Sequence, residues 1–506
     1  MKPDTRLRQP QEIELKLTLP GADPASLAKR LAHIPVLARR PVTLLHLHNI
    51  YYDTPEQHLN RERIALRLRR TGSAENPLWL QTLKTGGRSD SALSQRGEWE
   101  SRVHGPTLER QALQATPWLN LDPDGALFRA LAPCFVTTFE RSCWTVRKRD
   151  GSIIEVALDI GQIEAAGNTA PLCELELELL AGQPAALFDL AHQIARSIAV
   201  LPEARSKAVR GYALARSSLH QPLRARPPQL RRHQRLDEAA PSVLREAFCQ
   251  FTSNLQALRA SDEPEVVHQA RVGWRRFKTA LRLFRPMLNL QTLPALQPLH
   301  TLLTLLGELR DLDVAGTDTL PPLAQTYTAA DTDREKHWQN LLELISQAAR
   351  LQRTAVRYAL QTPAAGAALL AITEYLESGL ALKTPAVPST TPSKAKSLPP
   401  LRRWAQKRSA RLHKNLQRAL KDLSQPDSQH RARILAKRMR YSLETLAPVL
   451  KQRRARRWQQ QALALQTRLG SNRDLQQAAV LAAKLEAAPA LAEFLRGLAA
   501  GQARQA

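Results

Sequence analysis

The sequence predicts an α+β protein of several domains, with a mostly β first part and an all-α, strongly basic second part. Three observations predict it: strand-period alternation confined to the first 216 residues, a step in charge near residue 218, and a helical segment that recurs 162 residues later. A chain of 506 residues exceeds what one core usually serves, so two or three domains are expected. Residues 10–216 form the first domain by this reading, 217–236 a Pro-rich linker, and 237–500 the helical domain, interrupted by a Pro/Ser/Thr-rich loop at 384–400.

In the first part, residues 12–18, 64–70, 78–85, 153–160 and 173–180 alternate apolar and polar positions, as strands with one buried face do. Ile13, Leu15 and Leu17 oppose Glu12, Glu14 and Lys16; Leu66 and Leu68 oppose Arg67 and Arg69; Leu175, Leu177 and Leu179 oppose Glu174, Glu176 and Glu178. A solvated face mixes charge signs, but Glu174, Glu176 and Glu178 are purely acidic, Arg67 and Arg69 purely basic, and Glu155 and Asp159 acidic again. Like charges two residues apart on a strand lie roughly 7 Å from each other and repel. Divalent cations on the acidic strands and a polyanion on the basic ones would compensate both, within one tunnel if the strands close into a barrel with charged faces inward. Hard cations such as Mg²⁺ and Mn²⁺ take carboxylate oxygens, and the arginine fork matches phosphate oxygens. Hydrolysis of a phosphate chain then needs an in-line water and neutralised charge, with no covalent nucleophile.

Glu12-Ile13-Glu14-Leu15-Lys16 is followed in order by Tyr51-Tyr52-Asp53-Thr54-Pro55, Ala65-Leu66-Arg67-Leu68-Arg69, Gln81-Thr82-Leu83-Lys84, Phe139-Glu140-Arg141, Glu155-Val156-Ala157-Leu158-Asp159, Cys173-Glu174-Leu175-Glu176 and Ser206-Lys207-Ala208-Val209-Arg210. Together these segments resemble the CYTH domain of the triphosphate tunnel metalloenzymes. The resemblance implies an eight-stranded antiparallel tunnel barrel with flanking helices. It implies that Glu12, Glu14, Asp159, Glu174 and Glu176 hold Mg²⁺ or Mn²⁺. Lys16, Arg67, Arg69, Lys84, Arg141 and Lys207 would grip the phosphate chain, with Arg210 as an addition, and Glu12 and Glu14 would share the catalytic work with those cations. Glu178, Glu98 and Glu100 are further tunnel candidates. Family members differ in substrate: inorganic triphosphate, thiamine triphosphate, RNA 5′-triphosphate, or ATP for cyclisation.

The second part holds most of the charge. Residues 1–218 carry 28 Lys and Arg against 24 Asp and Glu, whereas 219–506 carry 45 against 22, so the net +27 resides mainly in the helical part and implies a polyanionic partner. His268-Gln269-Ala270-Arg271 through Arg275 and Lys278 aligns with His430-Arg431-Ala432-Arg433 through Lys437 and Arg440, and Leu306-Gly307-Glu308-Leu309-Arg310-Asp311 with Leu469-Gly470-Ser471-Asn472-Arg473-Asp474. In each half the His and the basic residues at +3, +7 and +10 fall within about 80° on a helix, forming one stripe. Arg276 and Arg438 lie at the stripe's edge, and Asp311 and Asp474 either orient the cations or cap helices.

These segments resemble the two halves of the CHAD domain, a module associated with inorganic polyphosphate, and the combination is similar to bacterial CYTH–CHAD inorganic triphosphatases. Carried over, His268, Arg271, Arg275, Lys278, His430, Arg433, Lys437 and Arg440 would line a polyphosphate surface. The alternatives are an adenylate cyclase of the same fold, an organic triphosphatase, a non-catalytic polyphosphate scaffold, or a nucleic-acid binder. No base-reading motif is present, and aromatics make up only 5% of residues, which disfavours stacking on single strands. Cys134, Cys143, Cys173 and Cys249 have neither zinc spacing nor disulfide density. Without an apolar run that could span a bilayer or a signal segment, the protein is expected in the cytoplasm, with polyphosphate granules as a place of association.

Overall fold

The computed structural model describes residues 11–505 apart from 22, 74, 88–90, 290, 379–398, 422–425, 469 and 470; the side chains of 426, 430, 467, 468, 471, 472 and 503–505 are also outside the description. The loop expected at 384–400 therefore falls almost wholly outside the described residues.

The first domain is built from β1 (Gln11–Thr18), α1 (Pro24–Ala32), β2 (Thr43–Asp53), α2 (His58–Arg61), β3 (Ala65–Gly72), β4 (Pro77–Lys84), β5 (Leu93–Val103), α3 (Trp118–Leu121), α4 (Ala126–Arg129), β6 (Ala132–Arg147), β7 (Ile153–Ala165), β8 (Asn168–Ala181), α5 (Ala185–Ala195), β9 (Leu201–Pro202) and α6 (Lys207–Ala215). The strands run antiparallel in the order β5-β4-β3-β2-β6-β7-β8-β1, and β1 also pairs with β5, which closes an eight-stranded barrel; β9 adds to the end of β1. Closure leaves no free edge and commits every alternating face to inside or outside. Leu15, Leu17, Val156, Leu158, Leu175 and Leu177 face outward into a core shared with α1 and α5. Their charged neighbours therefore face the barrel interior. The single-sign faces are not solvated faces.

The second domain comprises α7 (Leu236–Leu258), α8 (Pro264–Phe284), α9 (His300–Val314), α10 (Ala324–Thr328), α11 (Thr332–Leu360), α12 (Pro363–Glu377), α13 (Leu401–Ala419), α14 (Pro426–Leu446), α15 (Gln452–Arg468), α16 (Ser471–Lys484) and α17 (Pro489–Gln505). α7 and α8 pack through Phe248, Phe251, Trp274 and Phe277, whose rings lie 5.0–6.2 Å apart. Gly273 permits that approach, since a Cβ there would stand 2.6 Å from the Phe251 backbone nitrogen.

The domains meet along a seam that neither sequence pattern indicated. Gln256 of α7 donates to Thr18 Oγ1 at 2.7 Å, and His192 of α5 bonds Glu374 of α12 at 2.8 Å. Leu201 is buried in the helical core, whereas Leu370 of α12 is buried in the barrel core. Among the described residues no helix is long and apolar enough to cross a membrane.

Candidate active site and polyanion groove

Antiparallel register fixes which charged residues meet inside the barrel. Glu14 stands opposite Glu178 and Lys16 opposite Glu176; Asp159 lies between Arg141 and Glu174; Arg67 lies between Tyr51 and Thr82; Lys84 faces Glu98, and Glu12 faces Arg96. The resulting cavity, about 300 Å³, is lined by Glu12, Glu14, Glu98, Glu100, Glu155, Glu176 and Glu178 and by Lys16, Arg67, Arg69, Lys84, Arg96, Arg141 and Lys207. Carboxylates and cations are equal in number.

Two groups of ion pairs result. At one, Lys84 Nζ lies 2.8 Å from Glu12 and 3.0 Å from Glu98, Arg96 reaches Glu12 at 2.7 Å and Glu14 at 2.8 Å, and Lys16 binds Glu14 at 2.5 Å. At the other, Arg141 grips Asp159 through two bonds of 2.7 Å and Glu176 at 2.7 Å, while Lys207 Nζ contacts Glu174 and sits 2.6 Å from Asp159 and 2.9 Å from Glu176. Arg210 holds Glu174 at 2.6 Å and does not line the cavity. Burial works to raise Glu176, yet Lys207 and Arg141 outweigh it and hold that carboxyl well below its usual range. Burial raises Glu174, and it carries Glu178 up to about 7 with help from Glu12 and Glu98.

Arg69 differs from these cations. Its Nε donates to Asn49 at 2.8 Å, and no carboxylate lies within ion-pair distance among the described residues. Burial, then Arg67 and Arg141, depress its guanidinium to about 10. Arg67 is buried, its Nε without a hydrogen-bond partner among the described residues and its nearest carboxylate, Glu98, at 3.7 Å. These two arginines form the cationic wall least satisfied from within the protein.

Helix α6 delivers Lys207 and Arg210. Ser206 caps it by accepting from Val209 N, which places Lys207 in the first turn, and the turns behind lie against β6, β7 and β8. Gly211 is required there because a Cβ would stand 2.3 Å from the Phe135 ring. Tyr212 Oη donates to Asp53 at 2.8 Å, and Asp53 also accepts from Leu59 N and Asn60 N. The Asp53 of the Tyr-Tyr-Asp-Thr-Pro segment is thus a structural tie between β2, α2 and α6.

Asp159, Glu174 and Glu176 offer oxygens that all lie within 4.8 Å of one another, an all-oxygen donor set suited to Mg²⁺ or Mn²⁺. Glu12 and Glu14 lie in the other ion-pair group, so the five candidate ligands are divided between two places. The balanced lining supplies a second reason for a metal, since a polyanion entering an interior of near-zero net charge needs added positive charge. Sequence reasoning missed Arg96 as a cavity residue. It stands two residues before Glu98, so the same alternation pointed to it.

In the helical domain, α8 and α14 meet with their basic faces together. Arg271, Arg275, Lys278 and Arg282 of α8 and Lys437 and Arg438 of α14 line a groove of about 240 Å³ floored by Trp274, Leu303 and Ile434. Arg275 Nη1 donates to Tyr441 Oη at 3.1 Å, joining the two stripes. Burial, then Arg275, Arg433 and Arg473, push the Lys437 ammonium down to about 7. His268 and Arg433 stand beside the groove near Arg310 and Arg473 respectively. Arg440 pairs with Glu444 at 3.3 Å and lies over the Tyr441 ring at 4.6 Å, and the side chain of His430 lies outside the described residues. Arg276 is buried against Glu246 at 3.0 Å. Asp311 and Asp474 lie within this cationic field, each raised by burial, without an ion pair among the described residues; Asp474 occupies the first turn of α16.

The first domain is thus a closed antiparallel barrel with a charged interior that holds a carboxylate cluster and a pair of arginines. Residues 10–212 match the CYTH domain family and residues 242–486 the CHAD domain family, so the chain carries a CYTH domain followed by a CHAD domain. An inorganic triphosphatase of Haemophilus influenzae is 34% identical over 205 residues, covering 40% of this chain and 55% of that protein; the chain thus spans about half the length of this relative. The CHAD domain from the plant Ricinus communis is 27% identical, covering 56% of this chain and 92% of that one, with a TM-score of 0.46. PptA from Streptomyces chartreusis is 20% identical, covering 53% and 94%, with a TM-score of 0.35.

Proposed function

We propose that the barrel hydrolyses inorganic triphosphate to diphosphate and phosphate with Mg²⁺ or Mn²⁺, and that the groove of the helical domain binds inorganic polyphosphate. The observation that carries the first reading is the Asp159–Glu174–Glu176 oxygen cluster inside a barrel whose small cavity is lined both by Glu176 of that cluster and by the half-buried Arg69, which has no carboxylate at ion-pair distance among the described residues. Arg67 and Arg69 bind phosphate oxygens in forked fashion, and Lys84, Arg96 and Arg141 exchange carboxylate partners for phosphate as the chain enters. Lys207, released toward phosphate, leaves Asp159, Glu174 and Glu176 to the metal. When bound there, a divalent cation supplies charge neutralisation and lowers the pKa of a coordinated water. In-line attack of a water on the terminal phosphorus forms one P–O bond as the anhydride P–O bond breaks, the water's proton passes to solvent, and Arg67, Arg69, Lys84 and Arg141 neutralise the charge on the departing diphosphate. The name of the Haemophilus relative supports this substrate over the organic triphosphates.

Phosphate release from tripolyphosphate in Mg²⁺ or Mn²⁺ tests the reading, with loss of turnover expected in Glu14→Ala. Undiminished turnover in that variant would remove Glu14 from the site, and cyclic AMP formation from ATP exceeding phosphate release would support a cyclase instead. For the groove, long-chain polyphosphate should resist displacement by duplex DNA at equal phosphate concentration; displacement would point to a nucleic-acid binder.

A further inference from the structure

The two halves of the helical domain differ beside the groove, and the difference is one of charge. At the offset that carries His268 onto His430, Glu246 and Arg276 correspond to Arg408 and Arg438. In the first half Glu246 accepts from Arg276 Nη2 at 3.0 Å and Gln250 from Nη1 at 2.7 Å, so that arginine is buried and neutralised. In the second half an arginine stands where the glutamate stood. Arg438, without that partner, lines the groove, and the buried Nε atoms of both Arg408 and Arg438 have no hydrogen-bond partner among the described residues. Arg408 donates to the carbonyl of Arg282, another groove residue, at 3.0 Å. An unneutralised path thus leads from the groove to α13.

On α13 the path continues. Arg403, Lys407, Arg411, Lys414 and Arg418 fall within about 80° of one another on the helix and are exposed. Neither α13 nor α15 contains an Asp or Glu, and none of these five cations has an ion-pair partner among the described residues. The equivalent helix of the first half, α7, is covered by the barrel at Gln256; α13 has Arg418 at that position. Such a stripe repels itself unless an anion lies along it.

We propose that an inorganic polyphosphate chain too long for the groove leaves it past Arg282, Arg438 and Arg408 and continues along the exposed stripe of α13. This rests on the reading of the groove as a polyphosphate site. The nearby aromatic rings are already engaged within the protein, Trp404 stacking on Phe284 at 5.2 Å and Trp458 on His413 at 4.4 Å, so stacking of bases is not what the surface is built for.

The test measures binding of a short-chain and a long-chain polyphosphate to the full-length protein over a range of salt. Arg408→Glu restores the ion pair of the first half and removes the link; Lys407→Ser/Arg411→Ser/Lys414→Ser removes the stripe. Each is expected to weaken the long chain about tenfold or more and to flatten its salt dependence by about 0.7 per lost contact, with the short chain weakened far less. Equal weakening of both lengths, or of neither, overturns the proposal, as does loss of duplex-DNA binding in place of long-chain binding. Arg275→Ser/Lys437→Ser separates the two levels: it should weaken both lengths, and if the unaltered protein binds neither length, the reading of the groove itself fails.

Discussion

Arg69 sits half-buried beside Arg67 and Arg141 with Asn49 as its one side-chain partner among the described residues, an arrangement that is unfavourable until an anion arrives. A charge-assisted bond to phosphate is worth about 1.5–3 kcal/mol, so Arg69→Ala should lower kcat/KM for tripolyphosphate by about 10- to 150-fold. Steady-state kinetics showing less than a threefold change would remove Arg69 from substrate binding. Lys437 makes the corresponding case in the groove. Burial first, then Arg275 of α8, Arg433 of its own helix and Arg473 of α16, against the opposing pull of Asp474, hold its folded-state pKa near 7, below the ordinary lysine value. Between those values the unfolded chain binds the extra proton, so the neutral lysine costs no stability above the ordinary value and the field opposes folding increasingly as pH falls toward 7. A bound polyanion reverses that field and recruits the proton. Polyphosphate affinity should therefore rise as pH falls from 8 to 6, and Lys437→Met should reduce the slope; an identical pH profile in the variant would exclude Lys437 as its source. At this scale the sequence was read well where alternation alone decides direction, as at Glu12, Glu14, Arg67 and Arg69. It was read less well on helices: the stripe angle put Arg440 in the basic face and Arg276 and Arg438 at its edge, whereas Glu444 and Glu246, from positions the stripe does not include, pair with Arg440 and Arg276, and Arg438 lines the groove.

Helix α6 sets the state of the carboxylates in the free protein. Its Lys207 fills the oxygen cluster that a divalent cation would take, so metal must compete with an ammonium until phosphate draws that ammonium away. Metal and substrate should thus bind cooperatively, by the 1–3 kcal/mol common for such coupling, and reciprocally. Calorimetry with Mn²⁺, with and without a non-hydrolysable imido analogue of triphosphate, should show roughly a 5- to 150-fold difference in metal affinity. Equal affinities would mean that Lys207 does not gate the cluster. Gly211→Ala should act through the same element, forcing α6 off the Phe135 ring and lowering turnover together with thermal stability, by about 1–3 kcal/mol for the latter. Strands β1, β3, β4, β7 and β8 were legible because each carries its own period, whereas β2, β5 and β6 were not read from theirs. The closure of β1 on β5 and the reach of α6 into the interior are long-range relations, which no local period encodes; the family resemblance, not the pattern, supplied the count of eight.

For the whole molecule, the proposed polyphosphate groove, tethered to the barrel, would raise the local concentration of phosphate chains without adding a catalytic contact. If so, groove variants in the full chain should leave tripolyphosphate turnover measurable while weakening retention on polyphosphate. The seam between the domains can be probed at Gly366, where a Cβ would stand 2.2 Å from the Val200 carbonyl oxygen. Gly366→Ala should therefore destabilise by about 1–3 kcal/mol, and hydrogen exchange should rise first at β9 and α12. Protection unchanged at both would show that the seam yields without cost. None of this seam was legible, because Gln256, Gly366, Leu201 and Leu370 are unremarkable in their own helices or strands and gain meaning only from what they meet.

The exchange of Leu201 into the helical core and Leu370 into the barrel core limits how these domains can be recombined. A cut through residues 217–236 severs the chain but leaves an open socket on each side, so a helical domain grafted onto a different barrel inherits a cavity and an exposed leucine unless the host matches both. Fusion partners are interchangeable here only as fitted pairs.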